Sequence, residues 1–273
     1  VALIVELRTG YSTASPGDGC TVIRRLDTPL DGSRPVVMAL HGHGAHGYSF
    51  NPLTSYQGLH CAALAEAGAL VVCPDMINLT NWGDAAALAA CADCLAWAAR
   101  ATASGGLGGK AGPAGVFGYS MGGLCSLLLA KFYTSLVACE LLWAPACDLD
   151  YFHSTAGYVP AYATAPAPGP TASNSTWTAE VDADYSPYAA ASAGYRVAND
   201  YGSWRGLRIP IHVIHASDDT TVPPASSDAL VAGVADPFLT KHTPAPIGGH
   251  TGLFNHIDPI AITVPFFTAH MPW

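Results

Sequence analysis

The sequence predicts an α/β fold: a mostly parallel sheet of eight strands, helices on both faces, and an insertion after the sixth strand. Three observations carry this reading. Short, nearly continuous apolar runs, such as those at 35–40 and 211–214, suit strands buried on both faces. Helical stretches alternate with these runs, the rhythm of a parallel sheet built from crossover units. One run passes through Gly118-Tyr119-Ser120-Met121-Gly122-Gly123 directly into a stretch rich in Leu124, Leu127, Leu128 and Leu129.

The elements follow in order. Strands at 2–7 and 22–27 form an antiparallel edge, with Pro16-Gly17-Asp18-Gly19 as the turn between them. Then come strand 36–40, helix 56–67, strand 69–73, helix 84–101, strand 115–119, helix 121–133 and strand 136–143. Residues 148–206 break the alternation. They combine an Ala-Pro tract with Tyr151, Phe152, Tyr158, Trp177, Tyr185 and Trp204. A segment of this length inside a compact domain is functional or disordered, and its aromatic content argues against disorder. Strand 211–214, helix 225–231, strand 238–242 and helix 259–268 complete the chain, so 1–273 reads as one domain with 148–206 inserted in it.

The strand–turn–helix at Ser120 has the form that turns a serine into a nucleophile. The tight turn strains the serine backbone, and side chains at Gly118 and Gly122 would collide with the flanking elements. The hydroxyl then stands at a helix N-terminus, where free N–H groups and the helix dipole favour negative charge. A nucleophilic serine needs an acid, a base and an oxyanion hole. Asp219 follows the apolar strand 211–214 and is the candidate acid, with Asp218 as its rival; either could instead cap the next helix. His250, on a glycine-flexible loop after the last strand, is the candidate base, with His256 second, at the start of the C-terminal helix. His41-Gly42-His43-Gly44 follows strand 36–40, and its glycines let backbone N–H groups approach a substrate. The backbone N–H groups of His43 and Met121 are the candidate oxyanion donors, with Gly44 as the alternative to His43. Tyr119, Trp143, Tyr151 and Phe152 are the candidate pocket walls.

On His41-Gly42, Gly118-Tyr119-Ser120-Met121-Gly122-Gly123, Asp219-Thr220-Thr221-Val222-Pro223 and Gly249-His250, the chain resembles the α/β-hydrolase superfamily. The order Ser…Asp…His is the one that superfamily uses. The resemblance implies hydrolysis of an ester, amide or related bond through an acyl-enzyme, with a cap over the active-site side of the sheet. The Gly-x-Ser-Met-Gly-Gly form is similar to that of cutinase-like polyester hydrolases, dienelactone-hydrolase-like enzymes and small esterases alike. No cysteine follows Cys147, so the C-terminal disulfide of many polyester hydrolases is absent.

The expected activity is therefore serine hydrolysis of carboxylic esters, small or polymeric, without metal or organic cofactor. A polyester depolymerase or an acyltransferase would use the same triad. Two readings of other classes stand beside it. His41-x-His43-x-x-His46 has the look of a metal-ligand cluster, though no acidic residue lies among the three. A non-catalytic ligand-binding member of the fold is the other.

Composition narrows the partners. The net charge of −9, with no basic cluster, disfavours nucleic acid and anionic membrane surfaces. No run approaches the ~20 apolar residues of a membrane span. Half of the residues are hydrophobic and 11% charged, which suits a neutral or apolar substrate. Eight cysteines permit disulfides, with Cys20–Cys61 and Cys139–Cys147 as pairings to consider in an extracellular setting, the compartment slightly favoured. Cys91 and Cys94, on an alanine-rich helical stretch, read as plain thiols. Oligomeric state is not encoded in any of these features.

Overall fold

The computed structural model describes residues 2–12, 18–27, 29–147, 207–234, 238–243, 246–271 and 273. The expected lid at 148–206, and with it Tyr151, Phe152 and the Ala-Pro tract, lies outside them, as do Pro16 and Gly17 of the expected turn.

Eight strands form one sheet: β1 (Leu3–Thr9), β2 (Gly19–Arg25), β3 (Val36–Leu40), β4 (Leu70–Pro74), β5 (Ala114–Tyr119), β6 (Val137–Trp143), β7 (Ile211–Ile214) and β8 (Leu239–His242). Their spatial order is β1-β2-β4-β3-β5-β6-β7-β8. β1 pairs antiparallel with β2, and β2 antiparallel with β4. From β4 to β8 every pairing is parallel, so these strands deliver their C-terminal loops to one edge. That edge, beside the chain reversal between β4, β3 and β5, is where open α/β sheets bind ligands.

Helices cover both faces. They are α1 (Tyr56–Glu66), α2 (Ala85–Ala99), α3 (Met121–Phe132), α4 (Pro224–Val234), α5 (Gly249–His256) and α6 (Thr263–His270). α1 and α2 begin at capping side chains: Ser55 Oγ accepts from the Gly58 N–H at 3.0 Å, and Asp84 Oδ1 from the Ala87 N–H at 2.6 Å. Strand alternation divides the apolar residues into two layers. Val36, Met38 and Leu40 pack with Leu88, Leu95, Leu124 and Leu128 on the α2/α3 face. Val37 and Ala39 pack with Leu64, Phe117, Phe254 and Phe267 on the α1/α5/α6 face.

Two expectations need correction. The base loop is not a loop throughout, because His250 is the second residue of α5, an eight-residue helix that the sequence reading lacked. His256 ends that helix instead of opening the C-terminal one. The cysteines also differ from the suggested bridges. All eight are free and buried. Cys20 belongs to the α2/α3 layer and Cys61 to the opposite one, so the sheet separates them. The thiol that Cys20 does meet is Cys94, at 3.8 Å.

Candidate active site

Ser120 joins β5 to α3 at φ 53° and ψ −119°, a conformation that L-residues rarely adopt. Its surroundings explain the glycines. A Cβ at Gly118 would lie 2.7 Å from the Gly122 carbonyl oxygen, and one at Gly122 would lie 2.2 Å from that of Leu40. The bend is held by the main chain: the Ser120 N–H donates to Trp143 O at 2.9 Å, and Ser120 O accepts from the Gly123 and Ala146 N–H groups, both at 2.9 Å. Met121 is the first residue of α3, so its N–H has no carbonyl partner within the helix.

The turn after β3 runs against this bend. A Cβ at Gly42 would meet the Tyr119 ring at 3.0 Å and Ser120 Cβ at 3.3 Å, closer than ordinary van der Waals contact, so the backbone here runs tightly against the serine. The Gly44 N–H donates to Leu79 O at 2.8 Å and is engaged within the protein. The His43 ring lies 5.4 Å from that of Trp82, centroid to centroid.

Past β7, the two adjacent aspartates take different partners. Asp219 Oδ2 lies 2.6 Å from His250 Nδ1 and 3.1 Å from His215 Nε2. Its other oxygen accepts from the N–H groups of Thr221 at 2.8 Å and Val222 at 2.9 Å. His215 Nε2 also faces Val222 O at 2.9 Å, so that nitrogen donates, and Nδ1 lies 2.7 Å from Ser227 Oγ. Burial raises the Asp219 pKa, but hydrogen bonds from His215 and His250 outweigh it and hold the carboxyl well below the ordinary range. Asp218 turns away to the β8–α5 connection, where it accepts from the backbone of Ile247, Gly248 and Gly249.

The His250 ring rests on the Tyr119 ring, with centroids 5.0 Å apart, and the Tyr119 hydroxyl reaches His250 O at 3.4 Å. Tyr119 immediately precedes Ser120, so His250 packs on the residue next to the β5–α3 bend. Trp143 has no part in a pocket wall: it is fully buried and stacks on Phe254 with centroids 4.7 Å apart.

Sequence reasoning missed two contributors. His215 supports Asp219 from beneath; its spacing, a histidine four residues before an aspartate at the end of an apolar strand, was the available signal. The 75–83 segment after β4 was also missed. Met76, Ile77 and Trp82 there have positive φ, as do Ser120 and Ala144; these are the non-glycine residues so strained among those described. All five follow the C-terminal ends of β4, β5 or β6. Asn81 holds this segment: its Nδ2 donates to Met76 O and Asn78 O, and its Oδ1 accepts from the Gly83 N–H.

The histidines of the His41–His46 run do not converge. Both ring nitrogens of His41 face backbone carbonyls, Gly42 O at 2.9 Å and Asp75 O at 3.0 Å. Among the described residues, no group of three or more His, Cys, Asp or Glu side chains could hold a metal ion. Among the same residues, no helix is long and apolar enough to cross a membrane.

Comparison with known proteins follows the same lines. Residues 36–263 match the sequence profile described as the alpha/beta hydrolase family. No curated protein matches the chain by sequence. Esterase B of Lactobacillus rhamnosis superposes with a TM-score of 0.67 at 14% identity, covering 98% of this chain and 86% of that one. A Pyrococcus furiosus esterase superposes with a TM-score of 0.63 at 15% identity, covering 99% and 94%. A prolyl endopeptidase gives 0.63 at 14% identity, but this chain spans only 38% of its length. At such identities the likeness is one of fold.

Proposed function

This chain belongs to the alpha/beta hydrolase family, and on that premise we propose that it is a serine hydrolase of carboxylic esters. The observation that carries the reading is the 2.6 Å contact of Asp219 with His250, whose ring stands on the residue next to the strained Ser120. With Nδ1–H donated to Asp219, His250 keeps the Nε2 lone pair to accept a proton. Ser120 attacks the ester carbonyl as Nε2 takes the hydroxyl proton; Asp219 holds the tautomer and stabilises the imidazolium. The Met121 and His43 N–H groups receive the oxyanion, each donor contributing ~3 kcal/mol to the transition state. The imidazolium then protonates the leaving alcohol, and water cleaves the acyl-enzyme by the same route.

The choice of an ester takes support from the esterases that share the fold and from the weakly charged composition, which suits a neutral substrate. The test is a panel of nitrophenyl esters of graded acyl length, with one aromatic and one polymeric ester, each run beside Ser120→Ala. Turnover that survives in Ser120→Ala, or a fluorophosphonate that fails to label the wild type, ends this reading.

A further inference from the structure

The sequence offers two adjacent aspartates, and the triad uses one. Asp218 accepts three consecutive backbone N–H groups: Ile247 at 3.2 Å to Oδ1, and Gly248 at 2.9 Å and Gly249 at 3.0 Å to Oδ2. These amides lead into the first turn of α5, whose second residue is His250. Gly248 has φ 94° and Gly249 φ 70°, so two successive residues take the left-handed region. The three N–H groups converge on the one carboxylate, which fills the concavity they form. The anion here is supplied by the residue whose neighbour binds the His250 ring. One dipeptide therefore grips both the backbone and the side chain of the same residue, and the Asp218–Asp219 peptide sets the distance between the two grips.

Resting on the serine-hydrolase reading above, we infer that Asp218 is a positioning residue for His250, fixing where α5 begins and hence where the imidazole stands relative to Ser120. Asp219 alone leaves the ring free to move with its loop; Asp218 removes that freedom. An imidazole displaced by about 1 Å is enough to lower the rate ~10²-fold, without altering how a substrate docks in the pocket. Two other roles open to this carboxylate are not the ones it takes. It does not meet the His250 ring, and both its oxygens are directed to residues 247–249, away from α4.

The experiment compares the wild type with Asp218→Ala and Asp218→Asn on a short nitrophenyl ester, with circular dichroism to verify folding. The expected result is a ~10²-fold lower kcat with KM within about twofold. Formate should raise the kcat of Asp218→Ala saturably by occupying the vacated N–H groups, while chloride at equal ionic strength should not. Unchanged kcat in both variants overturns the assignment, as does a loss confined to KM. A second readout is independent of turnover: the downfield Nδ1 proton resonance of His250, together with amide exchange at Ile247, Gly248 and Gly249. In the variants the resonance should broaden or vanish and exchange should accelerate at least ~10-fold. Unaltered signals overturn the clamp even if the wild type is an esterase. Altered signals in a wild type that hydrolyses no ester would uphold the clamp and refute the functional reading instead.

Discussion

Glu140 sits in the middle of β6 beneath α3, fully buried, with one oxygen accepting from Ser126 Oγ at 2.6 Å and the other, Oε2, without a hydrogen-bond partner. Burial pushes its pKa from 4.5 up to about 8, the Ser126 bond pulling weakly the other way. The folded state therefore keeps a proton that the unfolded chain releases above pH 4.5. With the folded pKa raised, stability is fully present below pH 4.5 and is lost as pH rises toward 8. A displacement from 4.5 to about 8 corresponds to ~5 kcal/mol when complete, of which ~3 to 4 kcal/mol falls between pH 5 and pH 8. Glu140→Gln removes the titration but keeps an acceptor for Ser126. It places an amide N–H₂ at the unpartnered position, at a pH-independent cost of ~1–3 kcal/mol. The variant should be less stable than the wild type at pH 5 and equal or better at pH 8. Urea unfolding at four values between pH 5 and pH 8 measures this; at ~1–3 kcal/mol per molar urea, the wild-type midpoint should fall by more than ~1 M relative to the variant. Parallel stability curves for the two proteins would refute the assignment of the slope to Glu140.

Other outcomes follow from the same geometry. Ser120→Ala should lower ester turnover at least ~10³-fold while the melting temperature stays within a few degrees. Asp219→Asn should cost ~10⁴-fold in kcat, well beyond Asp218→Asn, because it disturbs the tautomer itself; the reverse ranking in parallel assays would exchange the two roles. His60 is buried and its pKa is lowered from 6.5 to about 4, so acidification charges the unfolded chain first. Stability should decline by ~3 kcal/mol as pH falls from 6.5 to 4, and His60→Gln should lose that slope in denaturant titrations. Gly122→Ala would place a Cβ 2.2 Å from Leu40 O. It should destabilise by ~1–3 kcal/mol and reduce turnover by moving the start of α3; calorimetry and ester assay together check it.

What lay within a few adjacent residues could be read from the sequence. The strand readings fall within three residues of all eight strands at each end; the central ones, β3, β4 and β5, are buried throughout and declare themselves by composition alone. The strained bend at Ser120 was legible in part for the same reason. The steric demand on Gly118 acts within one turn of chain, where a Cβ would lie 2.7 Å from Gly122 O, whereas the demand on Gly122 comes from Leu40 O, 2.2 Å away at the end of β3.

Tertiary packing decided the rest. Asp218 and Asp219 are indistinguishable as letters; their roles diverge because residues 247–250, some thirty positions on, dock against them, and only that docking sends one carboxylate to amides and the other to an imidazole. Trp143 was a candidate pocket wall, yet the pleat turns it into the α1/α5/α6 layer against Phe254. Cys20 and Cys61 likewise fall on opposite faces, a fact set by strand register and helix placement. Local sterics and hydrophobic period are written in neighbouring residues; which buried polar group meets which is fixed only when distant segments close on one another.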